Sequence, residues 1–372
     1  MSEEPRLENV VRAFRERRGW SQQDLSARAG LSRAGVSAIE TGRLAPSTAA
    51  ALALSKALGC AVEDLFRLRS ASTVEVGDGP WAWPPPPSRS ACRYWRATLG
   101  GRTLAYPVEV SPLGLPAHDG VFRDGVFEDL PHVDADRTLV VACCDPAVGL
   151  LAEALARTDG VRLIVLSRSS RSALDLLSRG LVHAAGVHLV RADDAAGNID
   201  AVRAAEPDLG AFRLLRVADW DEGIALAPSL RVSTFREAVR SPIRWISREA
   251  GSGARACLDE VFMEAEGGTP PPSLGAARDH RGVAAAIRDG WADAGVCLRL
   301  ASDEADLAFL TVRREAYDLC FPDSLDADPR IRALVKAVRS TPYRRLLADL
   351  PGYDASATGS LQKARGPRER AT

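Results

Sequence analysis

The 372-residue sequence lacks most of the marks by which a chain declares its chemistry. Lysine occurs only at Lys56, Lys336 and Lys363, the other basic side chains being arginine. With the many alanines and glycines, this reads as coding bias rather than function. The seven cysteines (Cys60, Cys92, Cys143, Cys144, Cys257, Cys297, Cys320) contain no C-x-x-C pair, are odd in number and sit mostly in apolar runs. That speaks against a disulfide framework or a zinc knuckle, and for small buried hydrophobes in a reducing compartment. Residues 1–5 show no basic stretch leading into an apolar one, and no run approaches the ~18 apolar residues of a membrane helix. A cytoplasmic protein with no membrane partner is expected. The formal net charge of -1 provides no global field for nucleic acid, so any charge that binds DNA must be local.

Catalytic signatures are missing too. No G-x-S-x-G, H-E-x-x-H, Walker or G-x-G-x-x-G run stands in the strand-turn-helix context those chemistries require. An enzyme would have to rest on Cys143 or Cys144 with His183 or His188, and on Asp145. The two cysteines end an apolar run and read as core, so the expectation is no enzyme, no metal and no cofactor. A third class, a docking protein using residues 71–136 as its platform, stays open beside these.

What is present is ordinary globular composition, 46% hydrophobic and 26% charged, in a chain long enough for about two to three domains. Residues 1–69 read as short helices. Residues 70–91 carry Pro84 to Pro87, an extended spacer that fits neither helix nor central strand. Residues 92–136 read as a small β-rich connecting segment and 137–358 as alternating strands and helices. The Arg-, Lys- and Gly-rich end, 359–372, reads as a disordered tail.

The first region is the most informative. Val10, Val11 and Phe14 share one side of a helix over 8–18. Ser21 N-caps a helix over Gln22–Ala29, with Asp24 completing a short capping box. Gly30 breaks that helix, Ser32 caps the next as far as Glu40, and Leu25, Ala29, Leu31, Val36 and Ile39 fall where two crossing helices share a core. The run Ser21 to Gly42, continuing through Arg43, Pro46, Leu54, Leu58, Gly59 and Val62 to Phe66, closely resembles the Xre-like family of phage-repressor helix-turn-helix domains. The resemblance implies double-stranded DNA as partner, with the second motif helix in the major groove. It assigns Arg33, Ala34 and Ser37 as base readers, Arg33 by a fork onto guanine. Gln22 and Arg43 are assigned to phosphate. Charge agrees, since residues 1–70 hold 11 Lys and Arg against 8 Asp and Glu.

From residue 137 the order strand, helix, strand, helix, strand indicates a parallel sheet. Strands are read at 138–142, 161–166 and 182–190, and the pattern restarts at 224–227, 244–247, 292–297 and 308–312. Two α/β lobes would enclose a cleft. The segments Cys144–Leu151, Ser167–Arg171, Ala185–Leu189, Arg248–Arg255, Ala292–Gly295 and Pro351–Asp354 together resemble the type II periplasmic-binding-protein superfamily, in particular its molybdate-related members fused to helix-turn-helix modules. The fold expected is therefore an all-α helix-turn-helix domain, then an α/β two-lobed binding-protein-like domain, with the β-rich segment between.

Helix N-termini at Asp145, at Ser169 and Ser170, and at Gly251, Ser252 and Gly253 would face the cleft and favour anions. Arg248 would add a charge-assisted fork. His188 points into the cleft or is a satisfied core histidine, and Tyr317 is a further candidate contact. Asp145 stands where the molybdate-related proteins would offer a hydroxyl, and a carboxylate beside a dianion is unfavourable. A small polar or anionic metabolite is thus the first expectation for the ligand, molybdate or tungstate the alternative. The function expected is that of a ligand-responsive regulator, a homodimer on a two-fold operator.

Overall fold

The computed structural model describes residues 6–365 except Arg17, 70–80, 84–90, Pro112, 115–116, 132–133, 195–196, 267, 269, 271–272 and 274. The chain divides into two compact units, Met1–Gly79 and Pro80–Thr372. Among the described residues no helix is long and apolar enough to cross a membrane.

In the first unit, strand β1 (Arg6–Asn9) precedes helices α1 (Val11–Glu16), α2 (Gln22–Ala29), α3 (Arg33–Glu40), α4 (Thr48–Leu58) and α5 (Val62–Leu65), and strand β2 (Phe66–Arg69) pairs antiparallel with β1. Helix breaks coincide with caps. Ser21 and Asp24 form a reciprocal capping box, Gly30 ends α2 at φ 65, and the Ser32 and Ser47 hydroxyls accept from Gly35 and Ala50 N–H groups. Each such cap stabilises its helix by about 1 kcal/mol. Leu25, Val36, Ile39, Leu54 and Leu58 close the core. The single helix expected over 8–18 is corrected to a strand followed by a shorter helix. Residues 6–9 pair with residues 66–69, and the Asn9 side chain caps α1 by accepting from Val11 N–H.

The second unit opens with an antiparallel sheet of β3 (Ala91–Leu99), β4 (Arg102–Pro107), β5 (Gly120–Arg123) and β6 (Val126–Asp129), in the order β4-β3-β5-β6. The linker expected at 70–91 lies largely outside the described residues. Its Trp81 and Trp83 pack on this sheet, Trp81 edge-on to Tyr94 and Phe122, Trp83 edge-on to Tyr106. Trp95, Ala97, Leu104 and Tyr106 share one core with Val140, Ile164, Leu174 and Leu177. The β-rich segment is thus welded to the first lobe.

That lobe runs β7 (Thr138–Cys143), α6 (Val148–Asp159), β8 (Arg162–Ser167), α7 (Ser170–Ser178), β9 (Ala184–Val187) and α8 (Gly197–Ala205). Strand β10 (Phe212–Leu226) then crosses to the second lobe of α9 (Phe235–Arg240), β11 (Trp245–Arg248), α10 (Gly253–Glu266), β12 (Ala276–Ala277), α11 (His280–Arg288), β13 (Ala294–Leu298) and α12 (Arg299–Glu304). Strand β14 (Ala308–Pro322) returns to the first lobe, which closes with α13 (Pro329–Arg339), α14 (Thr341–Ala348), β15 (Tyr353–Asp354) and β16 (Leu361–Ala364). The main sheet orders as β12-β11-β13-β10-β14-β9-β7-β8. All six residues of β7 are buried, and alternate side chains feed the cores on its two faces, Leu139 and Val141 one, Val140 and Ala142 the other.

The antiparallel pair β10 and β14 is the connection between lobes. Fifteen residues per strand span about 50 Å at the usual strand rise. Their register sets Trp220 opposite Glu315 and Glu222 opposite Arg313. Sequence periodicity shows only the last residues of β10, because charges at Arg213, Arg216, Asp219, Asp221 and Glu222 interrupt its apolar pattern. The expected strand at 182–190 is corrected to four residues, and the expected disordered tail is corrected at 361–364, where β16 pairs with Phe212–Leu215 of β10. Residues 366–372 lie outside the described residues.

Candidate functional site

Helix α3 commits Val36 and Ile39 to the core, which leaves the other side of its first turns outward. Arg33 and Ala34 are exposed there, and Ser37, one turn on from Arg33, is half-buried. Arg43 is exposed, its Nε donating to Thr41 Oγ1 at 3.1 Å. Gln22, the first residue of α2, donates from Nε2 to Glu40 Oε2 at 2.9 Å. Arg15 Nε donates to Glu40 Oε1 at 2.6 Å, and the Glu40 side chain is only 1% exposed. Burial opposes the Glu40 charge, but the Arg15 and Gln22 bonds outweigh it and hold the carboxyl below its ordinary range. These three side chains tie α1, α2 and α3 together, so the cluster fixes how α3 is presented. Sequence reading missed it, since its members are far apart in the chain.

The second site lies between the lobes. His188, just past β9, is fully buried. Its Nδ1 lies 2.7 Å from Glu315 Oε2, its Nε2 3.1 Å from Cys144 Sγ, and its backbone N–H donates to Ser170 Oγ at 3.1 Å. Trp220 stands edge-on to the imidazole at 5.1 Å between ring centroids, and the ring of His280 lies at 5.7 Å. A Cβ on Gly253 would fall 2.6 Å from His188 Nδ1, so glycine is what lets α10 start against this ring.

Across the cleft, Arg248 is 2% exposed; its Nε and Nη2 reach Glu249 at 3.2 and 3.3 Å, and its Nη1 has no partner among the described residues. His280, the first residue of α11, is fully buried, and neither of its ring nitrogens is bonded among the described residues. Burial first, then Arg248 and His188, push its pKa well below the ordinary histidine value, so it is neutral. Burial works against a charge on His188 as well, but the nearby Cys144 sulfur and Glu222 overcome it and its pKa is raised.

Behind His188 runs a buried charge chain. Arg313 bonds Glu222 at 3.1 Å, Glu260 at 2.6 Å, and Glu315. Burial and then the neighbouring Glu315 push Glu222 up to about 8, and burial raises Glu315 as well, against the pull of Arg313.

The remaining expected residues take other positions. Asp145 is buried, and its Oδ1 accepts from Ala147 N–H and from Tyr353 Oη, both at 2.8 Å. Burial pushes it up to about 6. Tyr317 stacks on Trp220 at 4.2 Å within the first lobe's core. Ser169 N-caps α7 and donates to Ser172 Oγ at 3.1 Å. Ser252 donates to Glu249 O and accepts from Arg255 N–H. With Gly251 and Gly253 it lines an open cavity of 460 Å³ whose opposite wall includes Arg171, Leu189 and Ala201. The structure thus brings Cys144, His188, Arg248 and His280 together. His280 was not foreseen; an Asp279–His280 pair opening an amphipathic helix was the available signal.

Known proteins agree with this division. Residues 11–65 match the family model described as helix-turn-helix, and residues 152–339 the model described as PBP superfamily domain. Residues of this chain are 40% identical over 62 positions to the uncharacterized HTH-type transcriptional regulator YgzD of Bacillus subtilis, covering 17% of this chain and 94% of that protein. Over 133 residues they are 29% identical to the uncharacterized protein YvgK of the same organism, covering 35% of this chain and only 42% of YvgK. Among solved structures, a putative phosphate ABC transporter substrate-binding protein of Clostridium perfringens is 12% identical with a TM-score of 0.48, covering 58% of this chain and 99% of that one. The tungstate ABC transporter of Geobacter sulfurreducens is 18% identical with a TM-score of 0.45, covering 58% and 100%. Likenesses of that size say nothing of a shared ligand. With its binding-protein model spanning just over half of the sequence and a regulator-type helix-turn-helix ahead of it, the chain belongs to the PBP superfamily, joined to an HTH domain.

Proposed function

We propose that this chain is a ligand-responsive transcription regulator of the cytoplasm. It binds a two-fold operator as a homodimer through α3 and senses a small polar or anionic ligand between its lobes. Arg33, Ala34 and Ser37 read bases, while Gln22 and Arg43 meet phosphates. Dimerisation follows from energetics, since one short recognition helix supplies too little specificity alone. Ligand draws the lobes together, and it can act only through different affinities for the open and closed states.

The observation that carries the sensor half is the pair of unpartnered buried groups, Arg248 Nη1 and both His280 ring nitrogens. Each unsatisfied buried polar group costs about 1–3 kcal/mol, and a ligand seated between them would recover that.

The test is duplex affinity, on DNA selected from a random pool, with and without phosphate, molybdate, tungstate and small polar metabolites. Arg33→Ala should weaken binding by about 1–3 kcal/mol and relax preference at one base position. An unchanged operator affinity in Arg33→Ala removes the groove assignment. Failure of every compound to alter the wild type's affinity removes the sensor.

A further inference from the structure

We propose that the interlobe pocket holds a divalent transition-metal ion of the borderline class that includes Zn2+, Co2+ and Ni2+. Its ligands are Cys144 Sγ, His188 Nε2 and a ring nitrogen of His280. The inference rests on the sensor reading above: the ion would seat that site's anionic ligand at its open fourth position.

Donor atoms of the three side chains lie within 4.8 Å of one another, and all three residues are buried. A tetrahedral ion bonded at ~2.3 Å to sulfur and ~2.0 Å to nitrogen sets its ligand atoms about 3.5 Å apart. Cys144 and His188 are already 3.1 Å apart. The set therefore has to adjust around the ion, not rearrange. The surroundings fit as well. Glu315, 2.7 Å from His188 Nδ1, holds the proton on that nitrogen and leaves Nε2 to coordinate. Arg313 fixes Glu315 in turn. Three protein ligands leave a fourth position, and Arg248, with its free Nη1, would meet an anion that fills it.

Two competing arrangements explain less. Cys144, His188 and Glu315 stand in the order of nucleophile, base and orienting acid. That reading leaves His280 buried with two unbonded nitrogens, of which coordination engages one. His188, Glu222 and Glu315 also cluster, but Arg313 already bonds both carboxylates.

The full chain, reduced and stripped with a chelator, is titrated with Co2+ and followed by absorption. One equivalent should bind with a thiolate-to-metal charge-transfer band and the intense visible bands of a tetrahedral site, and Zn2+ should displace it. Cys144→Ser should lose the charge-transfer band, and His280→Gln should keep it while binding Co2+ about tenfold or more weakly. Both variants are first checked for an unchanged metal-free melting profile. No stoichiometric binding by the wild type, which needs no variant to fold, overturns the proposal. So does a charge-transfer band that survives in Cys144→Ser.

Duplex affinity on the same samples separates this inference from the one beneath it. Co2+ bound, with DNA affinity unchanged by the metal and by every anion and metabolite added to it, leaves the metal site and removes the sensor. An anion that alters DNA affinity in a chain binding no Co2+ leaves the sensor and removes the metal.

Discussion

The helix-turn-helix core and the interlobe pocket both bury charge, and they treat it in opposite ways. In the first, Glu40 is met by Arg15 and Gln22 on three helices, and the arginine assigned to bases, Arg33, stays in water. In the second, Arg248 and His280 are held out of water with donors and acceptors unused. A surface that meets DNA can leave its cations solvated until contact. In the sensor reading, a pocket that discriminates a small ligand is built ahead of it, and the protein carries the desolvation cost until a ligand offsets it. The contrast is energetic, so stability measurements can break it.

The largest effect is expected in the helix-turn-helix unit. Arg15→Met leaves Glu40 buried without its main counter-charge, and breaking a buried pair by removing one member costs about 3–5 kcal/mol. The loss should appear in thermal melts of the full chain as an earlier transition of the helical unit and as lost DNA binding. A melt indistinguishable from wild type would mean that Glu40 is not buried as described.

The next effect belongs to the weld between the small sheet and the first lobe. His183 Nδ1 accepts from Val140 N–H at 3.0 Å, and its Nε2 lies 3.1 Å from Thr98 O. Burial and then Arg330, with Asp328 opposing, depress its pKa to about 4. The unfolded chain, with an ordinary histidine, binds the proton first as pH falls below about 6.5. Stability from this group is therefore complete above about 6.5 and is lost as pH falls through 4, a total of about 3 kcal/mol. Urea denaturation at several pH values should show that slope in the wild type and a flatter one in His183→Gln. Parallel slopes would assign the acid sensitivity elsewhere.

Sequence reading works where the determinants are local. The caps Ser21, Asp24, Gly30 and Ser32 act on partners within five residues, so the helix-turn-helix could be read from local chemistry. Strands β7 and β8 were visible because their burial on both faces writes continuous apolar runs. By contrast, Glu40 with Arg15, β1 with β2, and His188 with Glu315 and His280 are joined only by the tertiary fold. In β10 the charges that hid the strand are the ones that pair with Arg313, Arg314 and Asp318. Of these, Glu222 lies beside the pocket, clustered with His188 and Glu315. Asp145 illustrates the reverse: a helix-start residue conspicuous in the sequence, it is occupied by Tyr353 and Ala147.

The smallest effect carries the comparison furthest, because its sign differs. Arg248→Met is the same substitution as Arg15→Met, made at a buried arginine with a carboxylate neighbour. Here the neighbour, Glu249, is 38% exposed on its side chain and returns to solvent without cost. The unpartnered Nη1 is removed, and an apolar chain of similar length fills its place. Replacing a poorly satisfied buried charge by a packed hydrophobe stabilises by about 1–3 kcal/mol. The ligand-free protein should therefore melt later in the interlobe unit, while losing any stabilisation by an anionic ligand. A destabilised Arg248→Met would show that this guanidinium supports the fold as Arg15 does, and the distinction between a satisfied core and a waiting pocket would fail.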